Sequence, residues 1–212
     1  MALDKVVDSA QLDADLTAVA DAIRDRAGTS EPLVFPDGFV GAVEGIPDYM
    51  AMRCTGTLTE YRNDTITTIV KCGFCAAYVL EKLYLPAVTR VNAQGIDDCP
   101  MLTTLEIPNV TYLGNSAVRG AVSLRMVSIN AKVSLDYACF VNCSSLDALI
   151  LRSNSLCDLN YTNAFNTTPI ESGTGYVYVP RSLVDSYKSA TNWSTYASQI
   201  RAIEDYPDIT GG

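Results

Sequence analysis

The 212-residue chain contains no histidine. That absence removes Ser-His-Asp and Cys-His catalysis and the commonest metal ligand together. Positive charge is also scarce: 15 Lys and Arg stand against 24 Asp and Glu, a net charge of −9. Binding to nucleic acid or to an anionic membrane surface needs a basic patch, so neither is an expected partner. The acidic balance reads as solubility. No run approaches the roughly 18 consecutive apolar residues of a membrane span, so no membrane insertion is expected. The opening MALDKVVDSAQLDADL has no basic stretch followed by an apolar one, and no signal peptide is read there. A phosphate-binding loop is missing too, because Gly41-Ala42-Val43-Glu44-Gly45 lacks the Lys-Ser/Thr that would complete it.

The seven cysteines are Cys54, Cys72, Cys75, Cys99, Cys139, Cys143 and Cys157. An odd number argues against a complete disulfide framework. Cys72-x-x-Cys75 invites a redox or zinc reading, but a zinc site needs a second pair close by. Buried, reduced, metal-free thiols are expected, because free cysteine packs as a small hydrophobe. Asp97-Asp98 would serve a glycosidase only with a further acid facing them, and they read as a solvated turn. No catalytic residue, metal site or cofactor is expected.

What the chain does have is a repeat. The triplets Leu83-Tyr84-Leu85, Leu105-Glu106-Ile107, Val127-Ser128-Ile129 and Leu149-Ile150-Leu151 recur at a step of 22 residues. Three further columns keep the step: Ile69, Val91, Leu113, Leu135 and Cys157; Phe74, Ile96, Val118 and Phe140; Leu80, Leu102, Leu124 and Leu146. A fixed period of this size marks a solenoid. Each apolar-x-apolar triplet predicts a short strand with one face buried. The remaining apolar residues point inward from a turn and a helical or irregular return leg. Stacked units bury a continuous apolar column that one unit alone cannot. Phe165 falls three residues late against the Phe140 column, which predicts a small insertion near 160–163. Cys99 and Cys143 share a column with Ala77 and Ala121, a position that wants a small apolar group.

The stretches LTTLEIPNVTYLGNSAV (102–118) and ACFVNCSSLDALIL (138–151) resemble the BspA-type leucine-rich repeat of bacterial and phage surface proteins. The resemblance implies an α/β solenoid with a parallel strand sheet over residues 61–170. A linker and first strand (47–60) precede it, and a mixed α/β C-terminal cap (171–212) follows. In the cap, 176–180 reads as a strand, 183–190 as a helix, 193 onward as a second helical stretch and 200–203 as extended chain. Trp193 and its neighbouring tyrosines read as a lid over the last repeat; sugar stacking is the alternative for Trp193. Residues 208–212 are expected to fray.

Residues 1–46 read as a small helical N-terminal module. Ser9 is the N-cap of a helix over 9–26 with an apolar stripe of Leu12, Leu16, Val19 and Ile23. Gly28 stops it, and Pro36-Asp37-Gly38 turns the chain into a second short helix. Ala20, Ala22-Ile23-Arg24, Gly28, Phe35-Pro36, Gly38-Phe39, Ala42 and Ile46 resemble the opening segment of predicted phage virion proteins of the tail and baseplate. The two helices either dock on each other and cap the repeats, or the stripe serves attachment to other virion proteins and oligomerisation, with a homotrimer the expected form.

These resemblances imply a non-enzymatic phage virion protein of the tail, baseplate or fibre. It would be made in the host cytoplasm, carried on the particle, and display its repeats to a host-surface protein or glycan. The expected binding residues lie on the outward side of the strands: Lys82, Tyr84, Thr104, Glu106, Met126, Ser128, Asn130, Ala148, Ile150 and Arg152. A purely structural subunit, in the baseplate, neck or capsid decoration, is the alternative; its repeat face would bind other virion proteins. An envelope-degrading enzyme is the third reading, disfavoured by the missing histidine and acid pair.

Overall fold

The computed structural model describes residues 58–211, all within one compact unit that spans Ala51–Gly212. The expected N-terminal module, with Leu12, Leu16, Val19 and Ile23, lies outside the described residues.

Among the described residues, twelve short strands, all paired in parallel, form three sheets. The first contains β1 (Glu60–Arg62), β3 (Lys82–Tyr84) and β5 (Thr104–Glu106). The same face continues through β7 (Met126–Ile129), β9 (Ala148–Leu151), β11 (Tyr176–Val179) and β12 (Ile200–Ala202), in the order β12-β11-β9-β7. The two sheets meet where the Asn130 and Ala131 amides donate to the Pro108 carbonyl. Four of these strands, β3, β5, β7 and β9, are built on the expected triplets, each beginning one residue earlier because the outward residue before it joins the ladder. The inward Leu83, Leu105, Val127 and Leu149 are buried.

The return leg differs from the expectation. It is neither helical nor irregular but carries a third sheet of two-residue strands: β2 (Thr68–Ile69), β4 (Arg90–Val91), β6 (Tyr112–Leu113), β8 (Ser134–Leu135) and β10 (Asp158–Leu159). Their inward residues are Ile69, Val91, Leu113, Leu135 and Leu159, so Leu159, not Cys157, completes that column. Leu151 still faces Ile129, 22 residues back, whereas Leu159 faces Leu135, 24 residues back. Most of the insertion therefore precedes Leu159, in a turn where the Ser155 amide donates to Ser153 Oγ. Only one extra residue falls between Leu159 and Phe165.

After the second strand of each unit, and before the first strand of the next, the chain crosses a third corner. There the Cys72, Phe74 and Ala76 amides donate to the Gln94, Gly95 and Asp97 carbonyls at 2.8–3.1 Å, and the next units repeat the pattern. Two left-handed residues per turn make this possible: Cys72 and Ala76, Gln94 and Asp98, Ser116 and Gly120, Ala138 and Asn142. A left-handed non-glycine residue costs roughly 1–2 kcal/mol. The turn tolerates it because alternate amides then aim at the neighbouring unit while Phe74, Ile96, Val118 and Phe140 point into the core. The cysteine column serves the same corner. Cys99 Sγ donates to the Phe74 carbonyl at 2.9 Å, and Cys143 Sγ to the Val118 carbonyl at 2.8 Å.

A lid closes the last unit. Phe165 stacks on Phe140 at 6.0 Å, with Trp193 and Tyr196 on its other sides at 6.1 and 5.2 Å. The lid also meets open backbone groups. Cys157 N–H donates to Tyr187 Oη (3.0 Å), Trp193 Nε1 donates to the Cys157 carbonyl (2.8 Å), and Asn192 Nδ2 donates to the Leu159 carbonyl (2.7 Å). Trp193 is 1% exposed, which leaves no surface for sugar stacking. The helix α1 (Pro169–Ser172) leads into β11 through Gly175. A Cβ on Gly175 would lie 2.9 Å from the Ile170 nitrogen and 3.0 Å from the Asp147 carbonyl oxygen, both backbone. Gly175→Ala is accordingly expected to cost about 1–3 kcal/mol, read as a lower urea midpoint at unchanged slope. The helix α2 (Val184–Ser189) follows. Near the chain end, where fraying was expected, α3 (Pro207–Thr210) folds back on the molecule, and Thr210 is buried.

Candidate binding face

The strand pairing sets outward side chains in columns. Glu60, Lys82 and Thr104 form one, continued by Met126, Ala148 and Tyr176. Arg62, Tyr84 and Glu106 form the second, continued by Ser128, Ile150, Tyr178 and Arg201. The inward columns keep to apolar residues; these do not. Glu106, Asn130 and Met126 are exposed, and Lys82, Tyr84, Thr104, Ser128 and Arg152 are partly so. Lys82 pairs with Glu60 across one strand step at 3.3 Å. Arg152 Nε donates to Ser128 Oγ at 3.2 Å.

Two of the expected residues are unavailable. Ala148 is 4% and Ile150 1% exposed. They point outward, but Tyr178 covers them, with Tyr176 and Ile203 packed alongside, in an apolar cluster separate from the main core. Sequence reasoning missed this because the covering residues belong to the cap. The signal was present: the alternation in YVYV (176–179) puts two tyrosines on the outward side of the next strand.

Asp97 is a second correction. It is buried, not solvated, and its carboxylate takes a bidentate pair from Arg119, Nε to Oδ1 at 2.6 Å and Nη2 to Oδ2 at 2.7 Å. Asp98 is exposed. The carboxylate is committed to joining two units, so it is not poised for acid–base work. The Cys72-x-x-Cys75 thiols are free; Cys75 is buried and donates to the Gln94 carbonyl. Burial, then hydrogen bonding and charge coupling with Cys72, raises the Cys75 pKa, opposite to what a reactive thiol needs. Among the described residues no group of three or more Cys, Asp or Glu could hold a metal ion, and no helix is long and apolar enough to cross a membrane.

The return-leg sheet carries outward groups that were not singled out from the sequence. The Arg90 guanidinium lies 4.0 Å over the Tyr112 ring, Tyr112 Oη donates to Asp136 at 2.8 Å, and Tyr137 and Tyr161 meet edge to face at 5.5 Å.

These features define a parallel-stranded solenoid whose strand face is rigid in its frame and varied in its side chains. Six copies of the BspA type Leucine rich repeat region match residues 45–181. That is more than half of the chain, and the chain belongs to the BspA-type leucine-rich repeat family. No curated protein matches it.

Proposed function

We propose that this chain is a non-enzymatic phage virion protein that presents its repeat domain to a host-surface protein or glycan. The observation that carries the binding role is the strand face. From β1 to β7 a constant inward column holds outward residues that change from unit to unit: Lys82 and Tyr84, Thr104 and Glu106, Met126 and Ser128. Solenoids use such surfaces for recognition. Exposed Met126 beside Tyr84 and Glu106 offers apolar, aromatic and charged contacts on one strip. The phage setting rests on the resemblance of residues 20–46 to virion opening segments. The finer reading is an array of 22-residue units preceded by a helical module that attaches to other virion proteins and trimerises through Leu12, Leu16, Val19 and Ile23.

The test uses purified phage particles. Mass spectrometry should find the protein on them, and particles carrying Tyr84→Ala, Glu106→Lys and Met126→Asp together should assemble normally but adsorb to host cells at least about tenfold more slowly. Absence from the particle would overturn the phage reading. Failure of the triple variant to assemble would favour the structural subunit, in which the same face binds other virion proteins.

A further inference from the structure

Residues 203–211 lie beyond the family match and sit on the strand face. After β12 the chain makes one 3₁₀ turn (Ile203–Asp205), presents Tyr206, and winds into α3. Tyr206 packs edge-on against Tyr178 at 5.4 Å. The Arg152 guanidinium donates to the Thr210 carbonyl. Every other bond of this segment's distal part closes within itself. The Tyr206, Ile209, Thr210 and Gly211 amides donate to carbonyls of residues 203–207, and Thr210 Oγ1 donates to the Tyr206 carbonyl at 2.9 Å. The base is tied separately, where the Glu204 carboxylate accepts from the Arg181 amide and Asp205 pairs with the Arg181 guanidinium.

We propose that residues 206–211 are a strap occupying, in cis, a protein-docking surface made by Tyr178 and Arg152, beside the buried Ala148 and Ile150. A partner segment of the same chemistry displaces it: an aromatic residue followed by one helical turn with a free carbonyl facing Arg152. The surface is continuous with the strip above through the Arg152–Ser128 contact, and the inference rests on the reading of that strip as a binding face. The strap has the properties of a displaceable occupant. Its backbone is satisfied internally, so leaving the surface breaks one hydrogen bond to the repeats and one aromatic contact. The Tyr178 ring under it belongs to an apolar cluster separate from the core that holds the fold.

Two measurements test it. On the full chain, hydrogen exchange at the Ile209, Thr210 and Gly211 amides should be at least about 100-fold faster than at Val177 and Tyr178, since the strap opens locally. A labelled peptide of residues 203–212 should bind the full-chain Tyr206→Ala/Thr210→Ala variant at least tenfold more tightly than the unaltered chain. Adding Arg152→Ala should abolish that gain. Equal peptide binding to both chains, strap exchange as slow as β11, or loss of cooperative unfolding in the strap variant would each overturn the proposal. None of these readouts involves host or particle, so their failure is distinguishable from failure of the adsorption test.

Discussion

Trp193→Ala is expected to be the most damaging single substitution, costing about 3–5 kcal/mol from lost packing. A further 1–3 kcal/mol is expected from the stranded Cys157 carbonyl. The indole is 1% exposed, packs on Phe165 and Tyr187, and supplies the hydrogen bond that closes the last unit. Trp193→Phe keeps most of the apolar area and loses the N–H, so it should fall near the smaller figure alone. Because solenoid stability is a sum of neighbour terms, the damage should begin at the lid. Urea unfolding followed by hydrogen exchange should show β10 and β11 losing protection before β3 and β5. A uniform loss across the array, or a cost below about 1 kcal/mol, would mean the lid does not hold the end of the stack.

The second large effect is expected in alkali. Burial pushes the Cys99 and Cys143 thiols up to about 12. Their protonated form is favoured in the fold, so their contribution to stability is complete below the ordinary thiol pKa, near 8.5–9. Above that value the unfolded thiols ionise and the folded ones do not. Stability should fall by roughly 1.4 kcal/mol per pH unit for each thiol until the pH reaches the folded value. Two such groups would together remove a large share of a typical margin of about 5–15 kcal/mol before the loss levels off at the folded value. Urea midpoints from pH 8 to 11 check the slope. The variant with Cys99→Ala and Cys143→Ala should make it shallower, since Ala77 and Ala121 fill the same column in neighbouring units and the fold tolerates alanine there. An unchanged slope would assign the alkaline loss elsewhere, first to the Cys75 and Cys139 thiols, which burial also pushes up, and then to Tyr196.

The inward columns were legible because each keeps an apolar residue at a fixed step, a pattern no surface constraint imitates. The return-leg sheet was not. Its strands are two residues long, too short for a period-two signal, and its pairing depends on neighbours a full unit away. Cys157 misled for a related reason: it is apolar and falls on the 22-residue step, yet the insertion before Leu159 moves it out of that column. Asp97 looked solvated in its own turn; only the next unit's Arg119 explains its burial. On the candidate face, the columns through Ser128 could be read from strand alternation. The loss of Ala148 and Ile150 depended on a cap whose path back across the sheet no local pattern announces.

The direction of the hydrogen bonds gives the repeat domain a mechanical character. At all three corners the bonds between units run along the axis of the stack. A pull along that axis therefore loads them one unit at a time, as in peeling a zipper, instead of shearing many together. Each 22-residue unit released would pay out roughly 70 Å of extended chain. A domain built this way yields in steps under tension and dissipates load before the chain reaches its limit.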